Sequence, residues 1–391
     1  MISVDEARAI VRGCSFALAE TEVVPLSEAT NRRLAGDIAA DRDDPPFHRA
    51  MMDGLAVRSA DLTDLPTRLE LVGTVAAGDE TLPEIGAGQA VRIFTGAPVP
   101  PGADSVVPVE QTDGEGEVRE FRQTGQSVLR RGFFALGGDI VANGRLTPES
   151  IAVCASVGAD PVQVLRRPRV AVLSTGTELA AAPGAHEIRN SNGPMITSLL
   201  ADYEVIDLGA ILDEKAALLA AIRRGLEADV LVSTGGVSRG DKDFVPELLV
   251  EAGVDILFHK IALQPGKPVL FGRHEHGHVF GLPGNPVSAL VCADLFVLPH
   301  LAALSGATFG SALIEMQAPL LAPVASSPKR RRVFPCFIGA DGVEPLPWRG
   351  SADMHTALRG NAYVTIEQGE DRAAGDSVTC FVPARNAAVA G

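Results

Sequence analysis

Between residues 169 and 305, short runs of Val, Leu and Ile alternate with longer segments whose apolar residues recur every three to four positions. "RVAVLST", "YEVIDLGAI" and "ADVLVST" read as strands. "NSNGPMITSLLAD", "DEKAALLAAIRRGLE" and "DFVPELLVEAG" read as the helices between or after them. "VDILFHKIAL" and the paired runs "KPVLFGR" and "HVFGLPG" follow, before a helix "PVSALVCADLFVLPHLAAL". A strand followed by a helix and another strand builds a parallel sheet, so this region is expected to be a mainly parallel α/β sandwich with helices on both faces.

The flanking sequence has other textures. Ser3 and Glu6 stand at capping-box spacing before "ARAIVRGCSFAL", which predicts an opening helix. From about 41 to 139, short β-like runs are broken by "AAGDE", "IGAGQ" and "TDGEGE". "TPESIAVCASVGA" then returns to helical spacing, with Thr147 as N-cap and Pro148 at the first helical position. The tail is short strands with Pro and Gly turns. The expectation is a multidomain α/β plus β chain: residues 1–40 and 140–168 as a helical and linker domain, 41–139 as an inserted β domain, 169–313 as the α/β domain, and 314–391 as a small C-terminal β barrel. At 391 residues, two to four domains are in keeping with ordinary domain sizes.

Composition excludes several functions. No apolar run approaches the roughly 20 residues of a membrane span, and "MISVDEARAI" carries no export leader. Cys14, Cys154, Cys292, Cys336 and Cys380 are far apart and odd in number, so they read as reduced thiols of a cytoplasmic protein. A net charge of -15 argues against nucleic-acid binding but leaves room for one local positive pocket on an acidic protein. The basic run Lys329–Arg332 is either a solvated strand start or a phosphate-contacting patch.

Two of the strands end alike, at Ser174-Thr175-Gly176 and at Ser233-Thr234-Gly235-Gly236 with Ser238 close by. In an open parallel sheet, ligands lie beyond the carboxyl ends of the strands. Small residues there expose backbone N–H groups to an anion, and hydroxyls add donors. The alternative is a pair of ordinary glycine turns. A third terminus, "GLPGNPVSALV", holds Pro283, Gly284, Asn285 and Pro286; Asn285 is placed to cap the helix, leaving first-turn N–H groups aimed at the cleft. Glu178, Asp213, Asp241 and Asp243 lie near these loops. Carboxylates beside an anion cradle are costly without a cation, which points to Mg2+, although Asp213 and Asp241 are equally readable as helix caps. Lys260 and Lys267 offer positive charge. "HEHGH", residues 274 to 278, has zinc-like alternation but sits between two β runs and reads better as a hairpin tip.

The set "STGTEL", "STGGVSRGDKD", "QPGKP" and "GLPGNPVSA", with "AMMDGLAV", "RIFTGAPVPPGAD", "GGDI" and "WRGSADMHTAL", resembles the molybdopterin molybdenumtransferase family, to which the C-terminal domain of gephyrin is related. The resemblance runs through nearly the whole chain. It implies an enzyme of molybdenum cofactor biosynthesis that takes adenylylated molybdopterin and molybdate, inserts the metal at the dithiolene and releases AMP with Mg2+ present. It implies an elongated homodimer, with each α/β pocket facing parts of the other subunit, and protein partners in the same biosynthesis. By matching positions, it assigns catalytic roles to Asp53, Thr95, Asp139, Glu178, Asp213, Asp243 and Lys260, with Glu178, Asp213 and Asp243 as metal ligands. Pro283 and Pro286 match the family's rigid loop, and Arg331 and Ser351 match contacts of the tail domain more loosely.

Several positions depart from the family pattern. His48, Ala50, Met51, Leu55, Gly138 and Thr177 replace residue types usual there, and Gln264 stands where lysine is common. Together they remove one positive and two negative charges. A non-catalytic pterin-binding scaffold, or a paralogue for a variant cofactor or tungsten, therefore stands beside the enzyme.

Overall fold

A computed structural model describes residues 1–114, 116–237 and 244–389. The chain forms two compact units, one of Met1–Thr21 with Leu165–Gly391 and one of Glu22–Val164.

In the first unit, the alternation becomes a six-stranded sheet. Its strands are β1 (Arg169–Thr175), β2 (Glu204–Ile211), β3 (Val230–Thr234), β4 (Asp255–His259), β5 (Leu270–His274) and β6 (Gly277–Leu282), in the order β2-β1-β3-β6-β5-β4. β1 pairs in parallel with β2 and β3, and β3 with β6. β5 and β4 complete the sheet in antiparallel pairing. The turn at residues 275–276 makes the tip of the β5–β6 hairpin, where "HEHGH" falls.

Alternate residues of β1 serve opposite faces, as the two-residue period of a strand requires. Val170 and Val172 pack with Ile196 of a helix over Asn192–Leu199 and with the helix that begins at Pro286. Ala171 and Leu173 pack with Leu218, Ile222 and Leu248, from helices over Lys215–Gly225 and Val245–Glu251. Burial on both faces explains why these strands read as continuous apolar runs.

The helix from Pro286 to Leu304 corrects one expectation. It is 19 residues long, and an 18-residue stretch of it has a mean hydropathy of 1.9, enough by length and composition to cross a membrane. Yet 89% of that stretch is buried inside the fold, because this is the central helix of the core. Residues Ala293–Val297 take a π-turn just before Pro299, whose missing N–H and ring do not suit an uninterrupted helix. Asp294 in that turn is fully buried, and its Oδ2 accepts from Tyr363 Oη at 2.6 Å and Arg385 Nη2 at 2.9 Å.

The opening helix, Val4–Gly13, has the expected capping box: Ser3 N–H donates to Glu6 at 2.7 Å, and Glu6 N–H donates to Ser3 Oγ at 3.1 Å. It was expected to share a domain with residues 140–168. Instead Val4, Ala7 and Val11 bury in the same cluster as Val297 and Phe309, which places the helix in the α/β unit.

The tail strands are β7 (Leu313–Pro319), β8 (Arg331–Gly339), β9 (Gly342–Pro345), β10 (Ala362–Ile366) and β11 (Ser377–Pro383). They pair as β9-β8-β10-β11-β7, and a parallel bridge between Leu320 and Val343 joins the two ends of that path into a small barrel. Phe334, Cys336, Val364, Val378 and Cys380 fill its interior. β8 also pairs in parallel with Leu263–Gln264.

The second unit has a six-stranded sheet ordered Ser105–Pro108, Gly54–Val57, Gln89–Ile93, Thr67–Val75, Val118–Phe121 and Thr112–Asp113. Its helix, Pro148–Ser156, begins as the sequence predicts, with Thr147 as N-cap and Pro148 in the first turn.

Candidate active site

The chain runs from β1 to β2 on one side of β1, then crosses to β3 on the other, so strand order reverses between β1 and β3. A crevice opens at such a point because the two connections leave in opposite directions. Here a cleft of about 700 Å³ lies at that edge. Its walls come from the three predicted reversals, through Thr175–Leu179, Thr234–Val237 and Pro283–Pro286, together with Ile188–Asn192, Asp213, Pro268 and Ala352.

The three reversals meet closely. Gly235 N–H donates to Leu282 O at 3.1 Å, and Thr234 Oγ1 donates to Ser174 Oγ at 3.2 Å. A Cβ on Gly235 would stand 2.1 Å from Thr175 O, and Gly235 already has φ +89°. Glycine is required there on both counts. Gly236 follows at φ +64°, so two successive residues turn through the left-handed region and offer the kind of concave amide surface that binds anions. Ser174, Thr175, Ser233 and Thr234 are all buried, which fixes their hydroxyls at the strand ends.

The acidic residues sit at the rim. Thr175 Oγ1 donates to Asp213 Oδ1 at 2.5 Å, and Thr177 N–H donates to Asp213 Oδ2 at 3.0 Å. Asp213 therefore pins the first Ser-Thr-Gly turn and is not a helix cap; the following helix has Glu214 at its N-cap, without a side-chain bond. The Glu178 carboxylate folds over Gly176, with its oxygens 2.6 and 2.7 Å from where a Cβ on that glycine would stand. Among the described residues, two carboxylates thus line the cleft: hard oxygen donors suited to a divalent cation that keeps most of its own water. Asp241, Asp243 and Ser238 lie outside the described residues.

At several of the expected positions the side chains have other partners. Asn285 occupies the N-cap position, but its side chain makes no cap bond; Nδ2 donates to Ser351 Oγ at 2.9 Å. Val287 N–H, expected to face the ligand, donates to Ser351 O at 2.9 Å. Ser351 thus braces the helix start rather than standing as an independent contact. Lys267 is exposed, does not line the cleft, and takes part through its carbonyl, which accepts from Ile261 N–H at 3.0 Å. Arg331 is committed elsewhere: its two Nη atoms donate to Asp5 at 2.7 Å each and its Nε to Glu367 at 3.0 Å. Those bonds hold the Asp5 carboxyl below its ordinary range. Lys260, half-buried at φ +73°, donates its backbone N–H to Val269 O at 3.0 Å and is not a lining residue.

Asp53, Thr95 and Asp139 belong to the second unit. Thr95 donates to Asp53 Oδ1 from both N and Oγ1 at 2.8 Å, which lowers the Asp53 pKa. Asp139 Oδ2 accepts from Leu136 N–H at 2.8 Å.

Comparison with known proteins bears on the whole chain. Residues 2–158 match the MoeA N-terminal region (domain I and II), 171–303 a probable molybdopterin binding domain, and 317–382 the MoeA C-terminal region (domain IV). The molybdopterin molybdenumtransferase of Haemophilus influenzae is 35% identical over 97% of this chain and 98% of its own. That of Bacillus subtilis is 38% identical over 76% of this chain and 74% of its own. The chain belongs to the molybdopterin molybdenumtransferase family. A crystal structure of the molybdopterin biosynthesis MoeA protein from Pyrococcus horikoshii superposes with a TM-score of 0.83 at 27% identity, covering 98% of this chain and 100% of that one.

For a molybdopterin molybdenumtransferase, this chain has a cleft wall that its sequence motifs did not single out. Ile188 N–H donates to Glu178 O at 2.8 Å and Ala180 N–H to Ile188 O at 2.9 Å, so the segment around Ile188 runs parallel beside the first reversal. Asn190 Oδ1 accepts from Gly193 N–H at 2.9 Å and Asn192 Nδ2 donates to Gly284 O at 2.7 Å, tying the first reversal to the third. "RNSNG" read merely as a helix start; its polar density beside the Ser-Thr-Gly turn was the available signal. Gly138, a departure from the family, stands at φ +94° in a turn that suits glycine.

Proposed function

We propose that this transferase acts on adenylylated molybdopterin and molybdate, placing the metal on the dithiolene and releasing AMP, with Mg2+ bound at the cleft rim. The observation that carries the reading is the meeting of three strand-end reversals around one cleft whose rim bears Glu178 and Asp213. Gly236 and Gly284 donate to no backbone carbonyl among the described residues, so their amides suit anionic oxygens of the substrate. Asp213, held by Thr175 and Thr177, keeps the first reversal in shape, and Glu178 is the carboxylate placed for a divalent ion. When bound, Mg2+ would neutralise phosphate charge beside these carboxylates. The same proposal includes a homodimer, for which sedimentation would return twice the 40.8 kDa chain mass.

Incubation of the purified chain with adenylylated molybdopterin, molybdate and Mg2+ tests the reading. AMP should appear and should cease to appear on chelation. Retention of the pterin without AMP release would make the chain a scaffold; release with tungstate in preference to molybdate would change the metal.

A further inference from the structure

Among the described residues, the charged ones lining the cleft are Glu178, Asp213 and Arg189. Arg189 is thus the one basic lining residue among the described residues, and neither Lys260 nor Lys267 contributes to the wall. Gln264 has no charge to add either. Among the described residues, the positive charge at the wall thus belongs to a residue that no motif marked.

The placement of Arg189 is specific. The two backbone bonds between Glu178–Ala180 and Ile188 set its segment beside that of Glu178, on one lip of the cleft. Asn190, the next residue, accepts from Gly193 N–H in the first turn of the following helix, which fixes the chain on the other side. No carboxylate lies within ion-pair distance of the Arg189 guanidinium among the described residues, although Glu178 is on the adjacent segment. A free carboxylate and a free guanidinium on neighbouring segments do not suit a simple anion, which Glu178 would repel, or a simple cation, which Arg189 would repel. A phosphate that arrives with its divalent cation satisfies both. Guanidinium geometry also matches two phosphate oxygens at once.

Resting on the substrate reading above, we propose that Arg189 grips the phosphate of the bound adenylate, while Glu178 on the same lip takes the divalent ion that accompanies it. Arg189 is a substrate-positioning residue, and it supplies the positive charge that Gln264 lacks.

The test is calorimetric titration of the full chain with AMP, with and without Mg2+, for wild type, Arg189→Gln, Arg189→Lys and Glu178→Gln. Arg189→Gln should weaken AMP about tenfold at low salt, as expected for one charge-assisted contact. The deficit should shrink as salt is raised from about 0.02 to 0.5 M, since the guanidinium is exposed and screened. Lysine should restore part of the affinity, and uncharged adenosine should bind wild type and Arg189→Gln alike. Mg2+ should tighten AMP binding in wild type and in Arg189→Gln but not in Glu178→Gln. Equal AMP affinity in wild type and Arg189→Gln overturns the inference and leaves the substrate reading standing. A loss shared by adenosine overturns it as well, because the residue would then be structural. Failure of wild type to bind AMP at all removes both.

Discussion

The hydroxyl of Thr175 donates to Asp213 Oδ1 across 2.5 Å, joining the end of β1 to the loop that leaves β2. One hydrogen bond thereby couples the two connections that diverge at the reversal of strand order. Thr175→Val removes the hydroxyl while keeping the shape of a buried side chain, and Asp213 retains its bond from Thr177. AMP release should fall about tenfold, while chemical denaturation should show a cost of about 1 kcal/mol, the net worth of one such bond. A stability loss without a rate loss would detach the pair from the site.

Gly235 and Gly375 have nearly equal backbone angles, φ +89° and +90°, in the same unit. A Cβ on Gly375 meets nothing within 4 Å, whereas one on Gly235 meets Thr175 O at 2.1 Å. Gly375→Ala should cost about 1 kcal/mol, the backbone penalty alone. Gly235→Ala should cost clearly more and abolish AMP binding, as read by melting and calorimetry side by side.

Buried Asp294 keeps Tyr363 and Arg385 as partners. Arg385→Met leaves that carboxylate with Tyr363 alone, and denaturation should show a loss of about 3 kcal/mol. Adding Asp294→Asn should recover part of it, because a neutral amide is easier to bury and still accepts from Tyr363. Additive losses in the double variant would show that the two do not interact.

Acid sensitivity should centre on Asp229, which receives Arg166 Nη1 at 2.7 Å, Arg166 Nη2 at 2.8 Å and Arg169 N–H at 2.7 Å. Burial alone would raise its pKa, but the bonds from Arg166 and Arg169 outweigh it and hold the carboxyl below its ordinary value. A depressed carboxyl contributes stability above its unfolded pKa, about 4, and loses it as pH falls through the folded value. The gap in unfolding free energy between wild type and Asp229→Asn should be full at pH 7 and close below about pH 4. A gap that stays constant would remove the ionised pair from the stability of this region.

Asp243, outside the described residues, carries an expectation drawn from sequence resemblance. Asp243→Asn should abolish AMP release and leave the melting temperature unchanged. Undiminished release would take Asp243 out of the mechanism.

The parallel sheet, its helices on both faces and the edge where the cleft lies were all legible beforehand. They follow from local rules: Val170–Leu173 is apolar at every position because both faces of β1 are covered, and the Ser-Thr-Gly endings mark where strands stop. The same holds for the Ser3–Glu6 and Thr147 caps, whose partners lie three residues away. Partners distant in sequence were not legible. Asn285 is a sound cap by sequence, yet Ser351, 66 residues on, takes its side chain. Arg331 looks like phosphate-binding charge, yet Asp5 takes it from 326 residues away. Arg189 carries no signal until its segment runs beside that of Glu178. Backbone periodicity and turn chemistry are written within a few residues, so sequence alone determined the frame and the rim. Which charged or polar side chain remains free at that rim depends on which others packing brings within about 3 Å, and the tertiary structure alone decided that.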